Sequence, residues 1–76
     1  MKLWLISQTV NRGYETYDSA VVAAESEDAA RMIHPDGGID SAGFDWCEPE
    51  WVYVEYLGEA REGHPAGVVC ASFNAG

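Results

Sequence analysis

Leu3, Trp4, Leu5 and Ile6 put large apolar side chains at four consecutive positions, and this run constrains the fold more than any other. Successive side chains of an extended chain point to opposite faces, so Leu3 and Leu5 share one side and Trp4 and Ile6 the other. A strand apolar on both sides belongs in the middle of a sheet. The run is also far too short for a signal-peptide core or a membrane span, so the expected compartment is the cytoplasm.

The remaining segments read in order from this strand, Lys2 to Gln8. Asn11, Arg12 and Gly13 supply turn residues, and Tyr14 to Ala24 resumes an extended run that is clearest over Ala20-Val21-Val22-Ala23-Ala24. A hairpin joining the two runs is the simplest connection. Ser26 is a candidate N-cap, with Glu27 and Asp28 in the first turn where carboxylates favour the helix dipole. Ala29, Met32 and Ile33 form an i, i+3, i+4 stripe expected to lie on the sheet, and Pro35 ends a helix of two to three turns. Asp36 to Pro49 has no periodicity and reads as a long loop with room for a short turn of helix. Trp51 to Leu57 and Val68 to Phe73 are further strands, separated by the irregular Gly58 to Gly67. The order β-β-α-β-β predicts a single α+β domain over residues 1–76: a four-stranded, mostly antiparallel sheet with one short helix on one face.

Charge sets the second constraint. Thirteen Asp and Glu stand against four Lys and Arg, a net charge of −9 on 76 residues. Met32 to Ala60 holds Asp36, Asp40, Asp45, Glu48, Glu50, Glu55 and Glu59 and no Lys or Arg. Such a surface repels nucleic acid and anionic membranes and attracts basic proteins. Nine Phe, Trp and Tyr residues and an apolar fraction of 47% set the chain apart from disordered acidic tails. So small a core also favours homo-oligomerisation, in which subunit contacts bury what one chain cannot.

The motifs of nucleophilic, phosphate-binding and metalloprotease chemistry are missing from the sequence. No catalytic, cofactor-binding or metal-ligating residue is therefore assigned, and the chain is expected not to be an enzyme. Cys47 and Cys70 fit no zinc spacing and read as free thiols. His34-Pro35-Asp36-Gly37 and His64-Pro65-Ala66-Gly67 echo one another. Both histidines with Asp36 or Asp40 could bind a metal, but two Pro-Gly turns, each opened by an exposed His, are the preferred reading.

Two surfaces remain as binding candidates. Trp46, Trp51, Tyr53 and Tyr56 lie among acids, in the pattern of an aromatic, negatively charged recognition surface. Tyr14 to Ser19 is rich in hydroxyls and could line a small-ligand pocket, with Arg12 or Arg31 meeting a phosphate.

Three stretches, Lys2 to Gln8, Gly13 to Val22 and Ala29 to Pro35, resemble small phage and prophage proteins. So do Glu55 to Ala60 and Gly67 to Gly76, and the resemblance spans roughly two-thirds of the chain. It departs over Asp36 to Glu50, which is longer in similar sequences. The resemblance implies a context, since small acidic phage proteins without enzymatic motifs often inhibit host defence by stoichiometric binding. On that basis the partner is expected to be the basic, nucleic-acid-binding surface of a defence protein such as a CRISPR effector. Asp36, Asp40, Asp45, Glu48 and Glu50 would supply the charge, with Trp46 and Trp51 as apolar anchors. The alternative is an oligomeric sponge holding a cyclic-nucleotide signal through Arg12, Tyr14, Tyr17 and Arg31. A phage structural or assembly component is a third reading.

Overall fold

A computed structural model describes residues 1–13, 15–35 and 46–74. It contains the expected four-stranded sheet and single short helix. Strand β1 spans Lys2–Ser7, β2 Thr16–Ala24, helix α1 Glu27–Arg31, β3 Tyr53–Glu59 and β4 Gly67–Asn74. The spatial order is β3-β1-β2-β4, and every neighbouring pair is antiparallel. The apolar β1 is therefore central, as its two-sided pattern requires.

One face carries the core. Trp4 and Ile6 of β1 stand opposite Val22 and Ala20 of β2, and Tyr56 and Val54 of β3 flank them on the other side. Ile6, Val22 and Ala30 of α1 are wholly buried. The Trp4 indole N–H donates to the Ala24 carbonyl at 3.0 Å, and its ring meets Tyr56 edge-on at 5.4 Å. Small residues at Ala20, Ala24 and Ala30 let the helix sit close to the sheet.

Helix α1 begins where expected, with the Ser26 hydroxyl accepting from the Ala29 amide at 3.1 Å. It is shorter than the sequence suggests, at five residues. Its buried position is Ala30, whereas Ala29 and Met32 are exposed and Ile33 is half-buried. A helix barely longer than one turn has no periodic stripe, so the spacing of Ala29, Met32 and Ile33 carried no directional information.

β2 and β3 both oppose β1 and so run the same way as each other. Helix α1, between them in sequence, packs against β1, β2 and β3. The seven residues 60–66 then cross one end of the sheet to β4, closed by Ala60 N–H on the Met1 carbonyl at 2.9 Å. Three interstrand spacings amount to about 14 Å, within reach of such a connection.

Three bulges modify the strand pattern. Leu57 is extra in β3, because Leu3 and Trp4 pair with Gly58 and Tyr56. Val69 is extra in β4, and Asp18 is extra in β2. The Asp18 bulge turns Tyr17 onto the core side, where it packs against the buried cluster.

The first hairpin does not close at Asn11-Arg12-Gly13. Instead, described residues from Val10 to Tyr17 wrap around the buried Gln8 side chain. Gln8 Oε1 accepts from the Val10 and Asn11 amides at 2.9 and 2.8 Å, and its Nε2 donates to the Asn11 and Tyr17 carbonyls at 2.6 and 2.8 Å. Among the hairpin's described residues a positive φ, 58°, falls at Glu15. We expect Gln8→Ala to lower stability by about 1–3 kcal/mol by orphaning these groups, read as a lower urea midpoint at unchanged m.

Candidate functional site

The best-defined charged feature is a ridge from Glu48 to Glu59. Pro49–Trp51 forms a 3-10 turn, with Pro49 at its first position and the Val52 amide donating back to the Pro49 carbonyl at 3.1 Å. Sequence reasoning began β3 at Trp51, but this turn delays it to Tyr53. Val52 is buried and anchors the segment. On either side Glu48, Glu50, Glu55 and Glu59 are exposed, and Trp51, Tyr53 and Tyr56 are 54%, 65% and 51% exposed. Four acids, three large aromatics and no base thus line one edge of the sheet, although Lys2 pairs with Glu59 in the neighbouring strand.

Arg31 holds the ridge in place. Its guanidinium donates to the Pro49 carbonyl at 3.3 Å and to the Val52 carbonyl, while Nη2 meets Glu27 at 3.2 Å. One cation thus ties the end of α1 to the turn that presents Glu50 and Trp51. The planar fork suits this task, since it reaches several acceptors at once.

At the far end of the ridge, Tyr56 OH donates to Glu59 Oε2 at 2.6 Å. The Tyr56 pKa is raised, first by this hydrogen bond to Glu59, then by desolvation and the negative charge of Glu59. The phenol is therefore held as a donor.

The candidates expected from the sequence divide. Glu48, Glu50 and Trp51 lie on the ridge. Asp36, Asp40 and Asp45 lie outside the described residues. Trp46 is not a surface anchor: it is 1% exposed, within the core. Its ring neighbours His34 at 6.4 Å, and Asn11 Nδ2 donates to its carbonyl at 2.9 Å. Nothing in the local sequence separates Trp46 from Trp51, because the contacts that bury it come from distant residues. Tyr53, Glu55 and Glu59 extend the site past Trp51. Their signal is an edge strand: five of the seven β3 residues are exposed, Tyr53, Glu55 and Glu59 among them.

The alternative ligand set is not assembled by the described residues. Arg12 is exposed in the first connection, Arg31 is engaged beneath the ridge, and Tyr14 lies outside the described residues. Tyr17 packs on Phe73 at 4.8 Å and on His34 at 6.0 Å.

The two histidines do not converge either. His34 is buried beside Tyr17, which pairs with Phe73 near the end of β4, so the expected exposed turn histidine is corrected at this position. His64 precedes the other end of that strand, with Nδ1 2.7 Å from the Pro65 carbonyl oxygen. Gly67 to Phe73 spans about 20 Å at strand rise. No group of three His, Cys, Asp or Glu residues suited to a metal occurs among the described residues.

Both cysteines are free, Cys47 buried and Cys70 exposed. Burial, then the neighbouring Glu48, pushes the Cys47 thiol up in pKa. No described helix is long and apolar enough to cross a membrane.

No family model matches the chain, and no curated protein or solved structure matches it.

Glu59→Gln should return the Tyr56 ionisation towards the ordinary tyrosine range, because the acceptor weakens and the nearby negative charge is gone. An alkaline titration followed by tyrosine NMR shifts reads this directly. An unchanged Tyr56 titration in the variant would show that the hydrogen bond does not form in solution.

Proposed function

We propose that the chain is a non-enzymatic phage protein that disables a host defence protein by stoichiometric binding in the host cytoplasm. Its acidic ridge occupies a basic site that otherwise holds nucleic acid. The observation that carries this reading is the Glu48–Glu59 edge, where exposed acids are interspersed with exposed aromatics and no base interrupts them.

The chemistry of such an edge selects its partner. Carboxylates accept paired hydrogen bonds from Arg, as phosphates do, and single ones from Lys. Trp51 and Tyr53 add flat faces on which a guanidinium can stack, a contact worth about 0.5–2 kcal/mol. The ridge therefore answers an arginine-bearing groove better than a lysine-rich one. Most of the remaining charge acts at a distance, raising the rate of encounter and fading with salt.

The ridge also rests on a firm base. Arg31 grips the turn from below, and β1 backs the strand through its ladder. Side chains held this way lose less freedom on binding than those of a loose segment would.

The test uses purified nucleic-acid-binding defence proteins, with affinity measured at about 50 and 200 mM salt. Binding should weaken steeply with salt and displace the nucleic acid of its target at equimolar ratio. Glu48→Gln, Glu50→Gln and Glu55→Gln combined should weaken it by about tenfold or more, mainly through the association rate. Affinity indifferent to both salt and the triple substitution would sink the proposal.

A further inference from the structure

The two edges of the sheet differ in kind. The β3 edge carries Glu55 and Glu59, a bulge at Leu57 and, beside it, Gly58 at φ 150°. Charges and bulges of this sort keep a strand edge from pairing with another chain. The β4 edge, Gly-Val-Val-Cys-Ala-Ser-Phe-Asn, holds no ionisable acid or base other than the Cys70 thiol and no proline. It has a neighbour on one side only, and every residue from Val69 to Phe73 is exposed.

The bulge at Val69 leaves Cys70–Asn74 as the regular stretch, with Ser72 at its middle. Five residues at strand rise give about 17 Å of unpaired ladder. On a chain of net charge −9, this is the strand that offers pairing groups without a carboxylate.

We propose that β4 pairs with β4 of a second copy, antiparallel about a two-fold axis near Ser72, joining two four-stranded sheets into one of eight. A basic partner finds no acid on β4 to meet. A second copy finds an edge as neutral as its own, and the hydrogen bonds of the ladder supply the attraction.

Direction follows from the ladder, since antiparallel pairing is the more stable per residue. The antiparallel arrangement also closes on itself and consumes both free β4 edges, so growth stops at two. The outer edges are then the two β3 strands, and each dimer presents two acidic ridges at its far sides. This arrangement does not depend on the ridge's having a basic partner.

Sedimentation equilibrium across protein concentration and salt tests it. The expected species is twice the 8.3 kDa chain mass. Its formation should strengthen with salt, because screening relieves repulsion between two acidic bodies. Partner binding by the ridge has the opposite salt dependence, so failure of one reading cannot be mistaken for failure of the other. Cys70→Glu and Ser72→Glu should each raise the dimer dissociation constant about tenfold or more, while Thr9→Glu, the same charge placed in the first connection, should not. Amide hydrogen exchange on the unaltered protein serves as a second readout. Amides of Cys70 to Phe73 should gain protection as concentration rises, and those of Tyr53 to Glu59 should not. A monomer at every concentration and salt overturns the proposal, as does a dimer whose protection falls elsewhere or which Ser72→Glu leaves intact.

Discussion

An ionised carboxylate buried without a partner costs several kcal/mol, so each one claims a place at the surface. Thirteen acids less Asp36, Asp40 and Asp45 leaves ten among the described residues, and all ten are exposed. That requirement sets the thickness of the protein. With so much surface committed to charge, the chain buries one face of one sheet beneath a single short helix. Trp4 stands at the centre of that layer, its indole tied to β2 through the Ala24 carbonyl and its ring set against Tyr56 of β3. The second face keeps Leu3, Leu5 and Val21 half-buried and Ala23 wholly buried.

What the sequence made legible was local. The two-sided apolar run placed β1 in the middle of the sheet, and Ser26 announced the start of the helix through its own hydroxyl. The β-β-α-β-β order followed from the spacing of apolar runs. What escaped depends on contacts between distant residues. Trp46 and Trp51 look alike in their acidic surroundings, yet the carbonyl of one receives a hydrogen bond from Asn11 while the other stands in solvent. Arg31 reads as a free cation, and only the fold brings it beneath Pro49 and Val52. Tyr17 reads as polar lining until the bulge at Asp18 turns it inward. Gln8 gives no sign of being the post around which a connection is wound.

The candidate site shifted for the same reason. The sequence placed its weight on the acids between Asp36 and Glu50. The described structure gives a firmer footing to the stretch that follows, where a 3-10 turn and an edge strand fix the spacing of Glu48, Glu50, Glu55 and Glu59. Aromatic and acidic residues come together there because an edge strand exposes both of its faces and one flank. A central strand with the same residues would have buried half of them.

The bulge at Asp18 bears on how this chain can vary over time. Side chains along β2 alternate, and one extra residue resets the alternation between Tyr17 and Ser19. Were the same residues to run in plain alternation without the bulge, Asp18 would turn to the core face and Tyr17 to the opposite one, away from Phe73 and His34. Many substitutions at Asp18 leave that count intact, since the position is exposed. Homologous chains should therefore be free to change the residue at Asp18, and equally to lose it, since Tyr17 directly before Ser19 would still face the core opposite Phe73.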